Sequence, residues 1–387
     1  MRYLVWLFLA VVPWSMSVGA EKKSEADNQN LKSSMQDLLL NMQSLRPYMV
    51  SESKFTDPAN EGKIRDRLSQ LAKQVKNLKH DQISSQPGLK ISKKVLEDHF
   101  SETNMVFRIG NKSYARWALN STFGICVSCH TQAPSTSKTS WSLVGFSDFG
   151  KEFDQAEFLF AARDFDKALE MYDKLIDGYP DNKLPLADLE TAIERKVAIF
   201  ARVKRDFKAG LESIAKSQKS KKFPESIRRN LLAWEGLFRG QIKNSFPDVK
   251  TANDDEIRKY VEREMKRGLW DSLIEANNPR LVTNLTVSGV LYEYINLHPD
   301  TAIKAEIFYW LALCDRALNN NFFYSFADLY LKECITSFSS QPIAKKCYKE
   351  YEINTILSYS GSSGVHVPDD VRAELLRLRQ LVHGSEE

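Results

Sequence analysis

The stretch LKSSMQDLLLNMQSLRPYM, residues 31–49, decides the fold class of this chain. Its large apolar side chains alternate between spacings of four and three: Leu31, Met35, Leu38, Met42, Leu45 and Met49. This period matches one face of an α-helix and not the two-residue alternation of a strand. We therefore predict a helix over residues 28–49.

Three more amphipathic stretches follow. The second repeats the pattern at Ile64, Leu68, Leu71, Val75 and Leu78. The third and fourth cover residues 91–109 and 113–131, and polar or turn-forming segments separate all of them. Four helices with short connections favour an antiparallel, up-down-up-down bundle. The sequence thus predicts an all-α protein that begins with a four-helix bundle over residues 25–133.

The fourth stretch ends in Cys126-Val127-Ser128-Cys129-His130, a CxxCH motif. Two thiols one helical turn apart can form thioether bonds to the haem vinyl groups, and the adjacent imidazole can bind the iron. We predict one covalent haem c, held by Cys126 and Cys129, with His130 as an axial and metal ligand. A thioredoxin-like site needs a preceding strand, and a zinc site needs a second ligand pair. The sequence has neither.

The helix order also restricts the sixth iron ligand. In an antiparallel bundle, the motif shares its end with the start of the first helix, the end of the second and the start of the third. Met35, His80 and His99 are the candidates in those segments. An open sixth position is the alternative, because a Met on an apolar stripe is often only a core residue.

Residues 25–133, with Phe123-Gly124-Ile125 leading into the motif, resemble the four-helix-bundle cytochromes of the c′ and c556 type. In that family the haem motif lies on the last helix. A residue of the first helix faces the iron, and it is Met in six-coordinate members and apolar in five-coordinate ones. The resemblance implies Met35 as sixth ligand, with Met42 as the alternate. The fourth helix stops by Pro134, sooner than usual, so a more exposed haem edge is expected.

The N-terminus has the features of an export signal. Arg2 precedes an apolar run over residues 4–13, and Val18 and Ala20 occupy the positions that a signal peptidase recognises. We predict a signal peptide over residues 1–20. A membrane anchor is the alternative, but the run is shorter than the ~20 residues that a span needs. The expected location is the periplasm of a Gram-negative bacterium, with no transmembrane segment after cleavage.

The overall charge excludes one class of partner. The chain has 54 Lys and Arg against 50 Asp and Glu, and the basic residues are dispersed among acidic ones. Nucleic-acid-binding proteins usually carry a concentrated basic face. We therefore predict no nucleic-acid partner.

A second region follows a Ser- and Thr-rich linker over residues 134–150. Residues 164–180 resemble the second helix of a tetratricopeptide repeat (TPR), with Ala168 at the small position, Tyr172 at the aromatic one and Pro180 as terminator. Arg163-Asp164-Phe165 is echoed by Arg205-Asp206-Phe207. We predict a TPR-like α-solenoid over residues 151–387, whose concave groove binds a protein partner.

Three cysteines remain outside the motif. Cys334 and Cys347 lie at similar distances on either side of a predicted turn over residues 339–341. The facing helices of such a hairpin could bring them within disulfide range, and two buried free thiols are the alternative. Cys314 has no partner if that bond forms.

These features predict a periplasmic monohaem c-type cytochrome that transfers electrons and docks a redox or envelope protein through its TPR-like domain. Two alternatives stay open: a five-coordinate haem sensor or gas-binding module, and a TPR scaffold whose haem is structural. The sequence has no Ser/His/Asp order, P-loop or HExxH. No enzymatic activity is predicted.

Overall fold

A computed structural model describes residues 17–78, 87–132, 150–220, 222–244, 246–265, 280–318 and 324–384, with side chains from residue 31 onward. These residues form sixteen α-helices and one two-stranded hairpin, so the all-α prediction is confirmed. The helices are α1 (Ser17–Met49), α2 (Glu52–Thr56), α3 (Glu61–Lys76), α4 (Pro87–Arg108), α5 (Lys112–His130), α6 (Glu152–Ala161), α7 (Phe165–Asp177), α8 (Leu186–Ala198), α9 (Phe207–Gln218), α10 (Glu225–Lys243), α11 (Asp254–Met265), α12 (Leu281–Leu297), α13 (Lys304–Leu318), α14 (Ala327–Ser337), α15 (Pro342–Ser358) and α16 (Asp369–His383). Short turns of 3-10 helix (Pro58–Asn60) and π-helix (Ile199–Val203) adjoin α3 and α8, and β1 (Ser360–Gly361) pairs antiparallel with β2 (Gly364–Val365).

The first four long helices, α1, α3, α4 and α5, cover the four predicted apolar stripes and pack in chain order. The start of α5 lies beside the end of α1, where Arg116 donates to the carbonyl of Met49 at 3.0 Å. The end of α5 lies beside the start of α4, where Gln132 just past α5 donates to Ser92 at 2.9 Å. α5 is therefore antiparallel to both neighbours.

The apolar stripes of these helices face one another in what we call the N-terminal cluster. Its fully buried members include Leu45, Leu68 and Leu119, one from each of three helices. The predicted break after α1 contains the short helix α2, whose Phe55 meets Phe107 edge-on at 5.6 Å. An aromatic side chain thus fills the space at this end of the helices.

The N-terminal boundary of α1 differs from the prediction. The helix begins at Ser17 and not near residue 28, so the backbone is helical across the predicted cleavage bond between Ala20 and Glu21. Residues 1–16 of the predicted signal peptide lie outside the described residues, as do residues 134–149 of the predicted linker.

The later helices pack as antiparallel neighbours: α6 with α7, α9 with α10, α13 with α14, and α14 with α15. Ala168 and Tyr172 of α7, the residues that carry the repeat resemblance, are both fully buried. Tyr172 lies 6.4 Å from the ring of Phe160 on α6 and donates to Glu157 at 2.5 Å. Tyr172 therefore links α7 to α6 through a ring contact and a hydrogen bond.

The repeated Arg-Asp-Phe sequence marks two similar helix connections. Arg163 and Arg205 both adopt positive φ, 64° and 50°, a left-handed conformation that usually ends a helix at Gly. The Asp that follows each Arg is the residue before the next helix, and Asp206 caps α9 by accepting the Ala209 N–H at 3.0 Å. The repeated sequence therefore corresponds to a repeated backbone conformation.

Helix α12 is buried along most of its length: 14 of its 17 residues are buried, and Leu297 at its end is exposed. Leu281, Val282 and Leu285 belong to a middle cluster formed with α6 to α10, whereas Val290 and Ile295 belong to a C-terminal cluster formed with α11 and α13 to α16. α12 also contacts α4 and the π-helical turn, which are distant in the sequence. In a simple solenoid each repeat contacts only its neighbours. The surroundings of α12 depart from that pattern.

The two predicted regions share these cores. Val95 of α4 and Ile125 of α5 belong to the C-terminal cluster, and Val127 of α5 belongs to the middle cluster. The division into two domains at residues 134–150 stays a prediction. Helices before and after this segment pack in the same apolar clusters.

A disulfide joins Cys334 on α14 to Cys347 on α15, with Cα atoms 6.3 Å apart. Pro342 begins α15 after the turn that reverses the chain between the two helices. The cross-link thus closes a helical hairpin over 13 residues of sequence. Within the described residues, none of the helices has both the length and the apolar character needed to span a bilayer.

The contact of α9 with α10 gives a test of the packing. A Cβ at Gly210 would lie 2.5 Å from Cε1 of Phe238, which is fully buried and cannot swing away. We expect Gly210→Ala to lower the free energy of unfolding by about 1–3 kcal/mol, as for other overpacked cores. Urea denaturation followed by circular dichroism measures the change.

Gly236 and Gly240 on α10 are matched controls, because a Cβ at either would meet no atom within 4 Å. Alanine at these helix positions should stabilise the protein by up to about 1 kcal/mol. A Gly210→Ala protein as stable as these controls would contradict the close approach of the two helices.

Candidate haem-attachment site

The CxxCH motif forms the last turns of α5. Cys126, Cys129 and His130 lie at positions i, i+3 and i+4 and therefore share one face of the helix. The helix ends at His130, and Thr131 follows as its C-terminal cap, with its hydroxyl donating to the Val127 carbonyl at 2.8 Å. The two thiols and the imidazole thus project from one regular helix end.

Distant segments hold this helix end in place. Ser128 donates to the carbonyl of Tyr324 at 2.8 Å, across 196 residues of sequence. On the same side, the backbone of Tyr324 lies close to Gly124, at the distance of an ordinary van der Waals contact from the position of an added Cβ. On another side, Gln132 donates to Ser92 of α4. The end of α5 is therefore covered by both earlier and later parts of the chain.

The imidazole of His130 is oriented by the backbone of α6. Its Nδ1 forms a short hydrogen bond with the carbonyl oxygen of Ala161, the last residue of that helix. Because a carbonyl only accepts, Nδ1 carries the proton and Nε2 keeps its lone pair. Metal-binding His residues are commonly held in this way by a carbonyl on the other ring nitrogen.

Electrostatics keep this imidazole neutral. Burial, together with the positive charge of Arg163, lowers the pKa of His130 to about 4, against the opposing hydrogen bond to Ala161. Neutral imidazole is the form that binds metal. His130 is thus in the correct protonation and tautomeric state to offer Nε2 to an iron.

The thiols of the motif have raised pKa values, whereas the thiols of a disulfide-exchange site have lowered ones. Burial raises the pKa of Cys126 to about 12, and burial likewise raises the pKa of Cys129. Cysteines that exchange disulfides need a lowered pKa, because the thiolate is the reactive form. The environment therefore argues against thioredoxin-like chemistry at this CxxC.

Arg163 is the charged neighbour of the motif. It lies in the turn after α6, and its guanidinium interacts electrostatically with both Cys129 and His130. Burial lowers the pKa of Arg163 itself. α6 and the following turn therefore contribute a carbonyl and a cation to the surroundings of the motif.

The predicted sixth ligands that the structure describes have the following neighbours, and their role stays a prediction. Met42 is buried in the N-terminal cluster, and Met35 packs against the same cluster, whereas Cys126 packs against the middle cluster. His99 has its Nε2 2.9 Å from both the Ala118 carbonyl and the Thr122 hydroxyl, at least one turn before Cys126. His80 lies outside the described residues.

In the part of the chain that the structure describes, no group of three or more His, Cys, Asp or Glu side chains is arranged to bind a metal ion. Compared with known proteins, the chain matches no family model, no curated protein and no solved structure. The functional interpretation accordingly depends on the motif and on the contacts described above.

Sequence reasoning found the motif but missed the residues around it. The backbone carbonyl of Ala161 accepts a hydrogen bond from His130. The backbone carbonyl of Tyr324 accepts one from Ser128, which lies 196 residues earlier in the sequence. A backbone carbonyl has no residue-type signature, so neither could be read from the sequence. Among the neighbours of the motif, only Arg163 stood out in the sequence, and it did so as part of the repeated Arg-Asp-Phe pattern and not as a neighbour of the haem motif.

Thiol labelling tests both the burial and the cysteine pairing. In folded protein made without haem, we expect Cys126 to react with iodoacetamide slowly, and its rate to rise tenfold per pH unit between pH 7 and 10. The reason is that the thiolate fraction grows tenfold per unit below a pKa of about 12. Mass spectrometry after timed quenching measures the labelling.

In urea without reductant, the same haem-free protein should label rapidly at Cys126, Cys129 and Cys314 only. Protein with attached haem should then label at Cys314 alone. Rapid labelling of the folded protein at pH 8 would contradict the burial of the motif, and labelling at Cys334 would contradict the disulfide.

Proposed function

We propose that this protein is an exported monohaem c-type cytochrome that transfers single electrons and docks a partner protein. Cys126 and Cys129 would form the two thioether bonds, and His130 would supply an axial nitrogen. The helices α1, α3, α4 and α5 would form the haem-binding bundle, and the helix pairs from α6 onward the TPR-like docking part.

One observation carries the proposal. The Nδ1 of His130 donates to the Ala161 carbonyl, which leaves Nε2 free of that bond and fixes the ring plane. Other histidines of the chain also meet a carbonyl, as His99 does, so the two cysteines at thioether spacing beside His130 give this arrangement its meaning. The disulfide between Cys334 and Cys347 adds support for export, since such bonds persist in oxidising compartments.

The chain's own residues would set the properties of the site. A haem bound here supplies a one-electron iron couple whose potential depends on axial ligands, burial and nearby charge. Partial burial of the motif limits its contact with water, Ala161 orients the proximal imidazole, and Arg163 places a positive charge nearby. A nearby cation disfavours the more positive, oxidised state, so Arg163 would raise the potential.

A five-coordinate sensor or gas-binding module is the second candidate. Met35 and Met42 pack in the N-terminal cluster, and a methionine that serves only that packing leaves the sixth position open. The engagement of His99 with Ala118 and Thr122 favours this candidate as well. Electron transfer calls for a filled sixth position, whereas sensing calls for an open one.

The absorption spectrum of protein co-expressed with a c-type haem maturation system tests the proposal. We expect haem to stay with the polypeptide on a denaturing gel and to be lost in the Cys126→Ala/Cys129→Ala variant. Protein from the same system without covalent haem would overturn the proposal. Cys314→Ala is the matched control, because that thiol lies outside the motif.

Carbon monoxide then separates the two candidates. If Met35 is the sixth ligand, Met35→Ala should alter the spectrum and admit CO to the reduced iron, whereas Met42→Ala should mainly lower stability because Met42 is 5% exposed. Wild-type protein that binds CO readily, with a spectrum unchanged in both variants, would assign the five-coordinate function.

A further inference from the structure

An open groove of about 490 Å³ lies between the start of α4, the start of α13 and the length of α14. Apolar side chains form its floor: Ile91 from α4, Phe308 from α13, and Leu329 and Phe338 from α14 and its cap. Phe308 is buried and lies 6.2 Å from the ring of Phe338, so the floor continues into the protein core. The volume is within the range of about 300–1,000 Å³ that ligand pockets usually have.

The rim of this groove is basic. Lys90, Lys94, Lys304 and Lys332 line it, against the single carboxylate of Glu333. The four ammonium groups come from three different helices, so they surround the floor from several sides. An occupant should therefore carry more than one negative charge.

Part of this positive charge is not neutralised by the residues that the structure describes. Lys94 pairs with Asp98 at 2.6 Å, and Lys332 lies 3.7 Å from Glu374. Lys90 and Lys304 form no salt bridge with any described residue, although both line the groove. The described part of the chain thus presents an apolar surface together with two cations that it does not pair with a carboxylate.

We infer that this groove is a docking site for a short acidic segment of a partner protein, with an apolar side chain on the floor and carboxylates at the lysines. Several rim charges around one floor match a peptide with several acidic residues better than a fatty acid, which has a single carboxylate. The inference deepens the docking role proposed above and names its surface. That surface shares no residue with the CxxCH motif.

Fluorescence anisotropy with the full chain tests this inference. The probe is a fluorescein-labelled peptide that alternates aspartate with leucine. We expect it to bind, to weaken as salt is added, and to lose about tenfold in affinity in the Lys90→Glu/Lys304→Glu variant. Two control peptides alternate lysine with leucine and aspartate with glycine, and both should bind more weakly.

The Lys208→Glu/Lys259→Glu variant is the matched control, because both lysines are exposed, lie outside the groove and give the same change in net charge. It should retain wild-type affinity. Leu329→Gln, at a floor position that is 37% exposed, should weaken binding without unfolding the protein.

Equal affinity in the two double variants would overturn the inference, and so would equal binding of the leucine and glycine peptides. Binding of dodecanoate at the groove in preference to the peptide would also overturn it and assign a fatty acid instead. Haem attachment is read separately, by absorbance. Failure of docking and failure of the cytochrome proposal are therefore distinguishable.

Discussion

The burial of α12 along most of its length is the constraint on which the rest of the structure depends. Because 14 of its 17 residues are buried, neighbouring helices must enclose it on most sides. The enclosure stabilises the fold, since each buried Val, Leu or Ile contributes about 1.5–3 kcal/mol when water is excluded. Helices before and after α12 in the sequence supply that enclosure. The middle and C-terminal clusters meet along it, and Val95, Ile125 and Val127 extend them to α4 and α5.

The candidate site follows from the same enclosure. Because α5 contributes to both clusters, its C-terminal end is surrounded by protein, and burial there lowers the pKa of His130 and raises those of Cys126 and Cys129. A solvated helix end would leave all three groups near their ordinary pKa values. The neutrality of the imidazole is thus a result of long-range packing and not of the motif alone.

Most helices could be predicted because their signals are local. The start of α15 at Pro342 and the stripe of α1 each depend on residues within a few turns of one another. The surroundings of the motif could not be predicted, because they consist of contacts between backbone groups and distant segments, such as Ser128 with Tyr324. The early start of α1 was also missed, since residues 17–30 lack the apolar period that guided the assignment.

The contact between Ser128 and Tyr324 has a consequence for biosynthesis. A ribosome makes the chain from the N-terminus, so Cys126 and Cys129 emerge almost two hundred residues before the segment that covers their helix. During that interval the face of α5 that carries Ser128 lacks its final cover, and the helix end is more accessible to any enzyme that modifies the two thiols. The order of synthesis thus provides a period of access that the finished fold then closes.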